Sequence, residues 1–209
     1  MMRTRSIALG AVAALAVLCG LASCTHKEEE VYGTPDYPTW KRTTDTLLNY
    51  PIPGHMNRLR IPRMNAKGFT VVPTREGNKL HWDFPEDTVI VKEVYATTTP
   101  APGEAPVQLT IMVKDPADPR SQGGWLWITR DLPNGKETVF MGNFCVTCHE
   151  NANEPHPYFD KNPNSEFRDY VYFVPTDIQA KALGSGGAAS GSAAPADSGS
   201  SQSEYGESY

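Results

Sequence analysis

The sequence predicts a mainly β fold: a single antiparallel β-sheet domain with a few short helices. Three observations carry that expectation. Short runs of β-branched and aromatic residues recur between turn signals at 70–73, 88–95, 107–114, 125–130, 137–140 and 170–174, the pattern of half-buried strands. The fourth and fifth runs are joined by Asp131-Leu132-Pro133-Asn134-Gly135-Lys136, in which Asn-Gly is a strong hairpin signal. No long 3.6-residue period is present, and only 43–49 and 177–183 read as short helices.

Strand alternation assigns faces. In 88–95, Ile90, Lys92 and Val94 share one face and Val91, Glu93 and Tyr95 the other. A lysine between Ile and Val either snorkels to the rim or points into a pocket that uses it. In 107–114, Val107, Leu109, Ile111 and Val113 form a core face. Gln108, Thr110 and Met112 either line a polar pocket or face solvent. Trp125 and Trp127 share a face that packs in the core or at a subunit interface.

The two ends are not part of this domain. Residues 1–23 read as a secretory signal: Arg3 and Arg5 precede an apolar run at 7–21. That run holds about 15 residues, short of the roughly 20 that a membrane span needs. Leu21-Ala22-Ser23-Cys24 resembles a bacterial lipobox, in which Cys24 becomes the lipidated first residue. Thr25 rather than Asp follows it, which under the usual sorting rule directs a lipoprotein to the outer membrane, on its periplasmic side. Residues 24–36 form a polar linker, and the Gly/Ser/Ala-rich tail 183–209 is too poor in apolar residues to offset chain entropy. One domain remains at 37–182, long enough for a proper core. Cleavage before Cys24 removes two arginines and no acid, taking the net charge from −5 to −7. An acidic surface argues against nucleic acid as a partner, so membrane attachment rests on the lipid anchor.

Cysteine usage then points to chemistry. Of four cysteines, Cys19 lies in the signal and Cys24 is the lipidation candidate, leaving Cys145 and Cys148. They sit in Cys145-Val146-Thr147-Cys148-His149, the C-x-x-C-H pattern of c-type haem attachment. Two thiols at this spacing add to the two vinyl groups of one haem, and the next residue supplies an axial imidazole to the iron. A zinc site would need a second pair of ligands. A thioredoxin-like disulfide would open a helix in a βαβ unit, whereas this motif follows Gly142-Asn143-Phe144 and precedes an Asn- and Pro-rich stretch. One covalent haem c per chain, packed against the sheet, is therefore expected. His156 is a weak candidate for a further iron ligand. His55, His81, Met56, Met64, Met112 and Met141 read as packing or surface residues.

Several blocks precede the motif in order: Phe84-Pro85-Glu86-Asp87-Thr88-Val89-Ile90-Val91-Lys92-Glu93, then Val113-Lys114-Asp115-Pro116, then Gly123-Gly124-Trp125, with Asp169-Tyr170-Val171-Tyr172-Phe173 closing the domain. Together they resemble the cytochrome P-460 family over roughly 60–175. The resemblance implies a small periplasmic c-type cytochrome, mainly β and often dimeric, with an open distal position on the iron. Some members oxidise hydroxylamine, and the cytochrome c-prime-beta branch binds nitric oxide or carbon monoxide. In the oxidising members a lysine is bonded to the haem edge, and it matches Lys92. A distal arginine matches Arg60. A glutamate that assists proton removal falls at Thr110, which is no base at neutral pH.

Two functional classes follow. As an enzyme, the chain would be a haem-dependent oxidoreductase of the hydroxylamine-oxidising type, with Lys92 and Arg60 as catalytic residues, passing electrons to a soluble periplasmic acceptor. As a binding protein, it would trap or sense nitric oxide, which the missing glutamate favours. Simple electron transfer is a third reading and needs a sixth iron ligand that the sequence does not place.

Overall fold

The computed structural model describes residues 35–52, 55, 57–158 and 161–184. The expected signal and Cys24 lie outside them, as do the linker but for its last two residues and the tail but for its first two.

The fold is mainly antiparallel β. Eight strands form: β1 (Lys41–Arg42), β2 (Arg60–Met64), β3 (Thr74–Glu76), β4 (Lys79–His81), β5 (Val89–Val94), β6 (Gln108–Lys114), β7 (Trp125–Asp131) and β8 (Glu137–Phe140). Six of them make one sheet in the order β1-β2-β5-β6-β7-β8, and β3 and β4 pair separately. Helix α1 (Phe144–Glu150) and helix α2 (Thr176–Gly184) follow the sheet.

Alternation gives the sheet two apolar faces, as expected of a sheet covered on both sides. One carries Val91, Leu109, Ile111, Leu126 and Ile128, with Tyr37 and Trp40 packed against them. The other carries Met64, Ile90, Trp125 and Trp127, joined by Trp82, Phe84, Val171, Val174 and Ile178 from the connections and α2. Both tryptophans lie in this core, and Trp125 is completely buried. The Asn-Gly hairpin forms between β7 and β8: Gly135 has φ +69, its N–H donates to Asp131 O at 2.8 Å, and Asp131 N–H donates to Lys136 O at 2.9 Å.

Three expected elements differ. Residues 170–174 are not a strand, because Asp169 and Tyr170 both adopt positive φ (+49 and +67) and the chain turns there, Val171 N–H closing on Arg168 O. Val171 and Val174 are buried by packing instead. Residues 70–73 begin in a 3-10 turn, Gly68–Thr70, and Pro73 has no N–H to offer a ladder. Residues 43–49 form no helix: Thr44 Oγ1 accepts the N–H of Thr46 in a side-chain turn, and Leu48 bridges Arg60. Conversely β2 was not anticipated, since a proline inside a run argues against a strand. Pro62 is tolerated because its polar groups face the β1 side, where its carbonyl accepts from Thr43 N–H at 3.1 Å, so the N–H it lacks is not owed to β5. The short helix expected at 177–183 forms within α2.

The closing turn is held by buried charge. Asp169 accepts from Lys114 Nζ at 2.7 and 2.8 Å, from Phe84 N–H at 3.0 Å and from Trp125 Nε1–H at 3.2 Å. Gly123 (φ +63) lets the Tyr170 ring pack directly on the backbone: a Cβ there would stand 2.7 Å from the ring. These contacts fix the chain that faces the C-x-x-C-H motif.

Candidate functional site

Cross-sheet register builds the floor of the site. Pro62, Lys92, Thr110 and Thr129 stand side by side on four successive strands. The next rung of the same face is Met64, Ile90, Met112, Trp127 and Phe140. Between this face and the C-terminal chain lies a cavity of about 510 Å³, whose walls include Arg60, Lys92, Thr110, Cys145, Cys148 and His149. That volume lies in the range of small-molecule and cofactor sites. Gln108, Thr110 and Met112 thus line the pocket, while Glu93 turns away to pair with Arg63 at 3.3 Å.

The C-x-x-C-H motif occupies α1, a helix that the sequence did not announce. Residues three apart on a helix share a face, so Cys145 and Cys148 open on the cavity together, both as free thiols. His149 is wedged between the Trp127 ring at 4.7 Å and the Tyr172 ring at 5.3 Å. Its Nδ1 lies 2.9 Å from Tyr170 O, and since a carbonyl only accepts, Nδ1 carries the proton. Nε2 is left as a lone pair, the arrangement that orients a metal-binding histidine. Burial, and then the Lys92 charge, hold the imidazole down at a pKa of about 4 against the opposing Tyr170 bond. It is neutral at physiological pH. Tyr172 Oη–H donates to Cys148 O at 2.9 Å and locks the helix to the turn.

Lys92 lines the cavity, the second of the two alternatives that alternation left open. Burial, with Arg60 nearby, lowers its pKa to about 8, while the two cysteines pull the other way. Arg60 is 1% exposed. Its Nε–H donates to Leu48 O at 3.2 Å and one Nη–H to Tyr50 O, but Nη1 has no hydrogen-bond partner. A buried donor left unpaired costs stability unless a bound group satisfies it. Thr43 Oγ1, in the same cavity wall, is also unpartnered.

His55 was read from the sequence as a packing or surface residue, and the structure corrects this. It lines the cavity, with its Nε2 3.5 Å from Lys92 Nζ. Its ring centre lies 6.4 Å from that of His149. Lys92 first, then burial, lowers its pKa to about 3. No motif surrounds it that could have announced this place; only the chain path between β1 and β2 brings it in. His156 also lines the cavity, with its ring against Tyr172 at 4.9 Å and its Nδ1 accepting from Tyr158 N–H. No Asp or Glu is among the described residues of the cavity wall.

The residues present fit a haem attached at α1: two free thiols on one helix face, an imidazole with its Nε2 lone pair free, an apolar floor and an unsatisfied buried arginine donor. A family model described as Cytochrome P460 matches residues 34–173. No curated protein matches the chain.

Proposed function

The chain belongs to the cytochrome P460 family, which implies a haem cofactor, and from that premise we propose a lipid-anchored, periplasmic mono-haem c-type cytochrome that takes small nitrogen species. In this reading Cys145 and Cys148 would hold one haem covalently and His149 would ligate its iron. The group supplies a redox-active iron that binds hydroxylamine or nitric oxide. The observation that carries the reading is the Nδ1–Tyr170 O bond of His149 beside two unpaired thiols on α1, which leaves Nε2 for a metal.

The remaining residues have defined tasks. Trp127 and Tyr172 fix the plane of the His149 ring and exclude water from it. Arg60 Nη1 offers a charged donor to a carboxylate of the macrocycle or to a polar ligand. Lys92, in the cavity wall, would be joined to the haem edge, which would remove the cost of burying an ammonium. Oxidation of hydroxylamine releases protons that need an acceptor, and Thr110 supplies none. Nitric oxide binding with one-electron redox chemistry, delivered to or from a soluble periplasmic partner, therefore fits this cavity better than rapid hydroxylamine turnover. Homodimers are compatible with the reading.

Intact mass spectrometry of protein made with a haem-maturation system tests the premise. One haem added to the polypeptide is expected, lost on replacing both cysteines by alanine. A bare polypeptide mass would sink the proposal. Nitric oxide should shift the visible spectrum of the reduced protein; an unchanged spectrum would remove the ligand assignment.

A further inference from the structure

We infer that His55 is the second axial ligand of the iron in the resting protein, so that a small ligand must displace it. This rests on the haem reading above and adds a group that the sequence did not single out.

Two imidazoles compose the geometry. His149 enters the cavity from α1 and His55 from the chain between β1 and β2, where its backbone N–H donates to Ile52 O at 3.0 Å. Their ring centres are 6.4 Å apart with planes at 76°. Two imidazoles bound to one metal through nitrogens about 2 Å from it place their ring centres about 6 Å apart. A histidine that only hydrogen-bonds a ligand already on the metal would stand further out, at about 8 Å, because the ligand atom and a hydrogen bond of about 3 Å intervene. The observed separation matches direct ligation. Direct ring-on-ring packing is the competing explanation. Edge-to-face packing here reaches a similar separation, as in Phe84–Trp125 at 6.2 Å, so the choice between the two rests on what His55 bonds.

The bonding of His55 agrees. Among the described residues its polar neighbour is Lys92 Nζ at 3.5 Å, the outer limit of a hydrogen bond. No carboxylate of the cavity wall orients it. At 3.5 Å the Lys92 ammonium gives the imidazole at most a weak hydrogen bond, whereas a metal would use its lone pair. His149 Nδ1 is committed to Tyr170, so both histidines have one nitrogen to give.

The test is spectroscopic and uses the holoprotein, its haem content first verified by mass. Ferric wild type should be low-spin and six-coordinate by optical and electron paramagnetic resonance spectra. His55→Ala should turn high-spin, and added imidazole should restore the low-spin spectrum. Carbon monoxide should bind the reduced His55→Ala protein about tenfold faster or more, since the competent state no longer waits for an internal ligand to leave. If His55→Ala fails to accumulate, His55→Met serves: it should stay six-coordinate with a raised reduction potential. A five-coordinate high-spin wild type, or a low-spin spectrum unchanged in either variant, would overturn the assignment while leaving the haem reading standing. A haem-free mass would overturn both.

Discussion

Removing the carboxylate of Asp169 attacks the turn that holds His149, and its cost follows from the contacts. Asp169 is 2% exposed and accepts four hydrogen-bond contacts from three groups: Lys114, Phe84 N–H and Trp125 Nε1–H. In Asp169→Ala the Lys114 ammonium keeps the Trp125 ring face at 5.3 Å and, as its carboxylate among the described residues, the largely exposed Asp83 at 3.5 Å, and two buried N–H donors lose their acceptor. Breaking one partner out of a buried ion pair costs about 3–5 kcal/mol. Each orphaned donor adds up to about 1–3 kcal/mol, not additively. Burial itself pushes the Asp169 carboxyl pKa up against the pull of Lys114, so loss of the carboxylate's own desolvation offsets part of this. A net loss of about 4 kcal/mol is expected, a fall in Tm of roughly 10 °C for a domain of this size. Asp169→Asn keeps one oxygen, an acceptor for one of the two N–H groups, and should lose less than Asp169→Ala. The double variant Lys114→Met/Asp169→Asn leaves no lone charge and should be more stable than the sum of the singles predicts. Urea unfolding followed by far-UV circular dichroism measures all of these. If Asp169→Ala lies within about 1 kcal/mol of wild type, or the double variant is strictly additive, then the pair does not hold the turn and the reasoning fails.

Other expectations are independent of that pair. Gly123→Ala combines a positive φ, about 1–2 kcal/mol for a side-chain-bearing residue, with a 2.7 Å approach to Tyr170; a loss of about 2–4 kcal/mol in a thermal melt is expected, and none would mean that the ring can move aside. Peptide mapping should find Lys92 joined through the haem to the Cys145–Cys148 segment, and recovery of Lys92 in an unmodified peptide at full yield would reject the crosslink. Cys24→Ala should release the protein from membranes into the soluble fraction, and continued tight retention would point to an uncleaved apolar segment instead.

Some features were legible in the sequence because they depend on local chemistry. The period of two separated Lys92 from Glu93 along 89–94 and grouped Gln108, Thr110 and Met112 along 108–114, and Asn134-Gly135 placed a hairpin, since backbone geometry alone dictates these; that the Lys92 and Thr110 faces coincide is set by the β5–β6 register. The spacing of Cys145, Cys148 and His149 announced a haem motif without any fold. Tertiary structure decided what depends on distant partners. It replaced the expected strand at 170–174 with a chain that follows a left-handed corner at 169–170, where Asp169 meets Lys114 and Trp125 from other strands. It let Pro62 into a strand because the N–H that proline lacks faces the β1 side and not β5. It also carried His55 to within 6.4 Å of His149 across 94 positions of sequence, a juxtaposition that no periodicity encodes because it is made by chain path and burial rather than by neighbours in sequence.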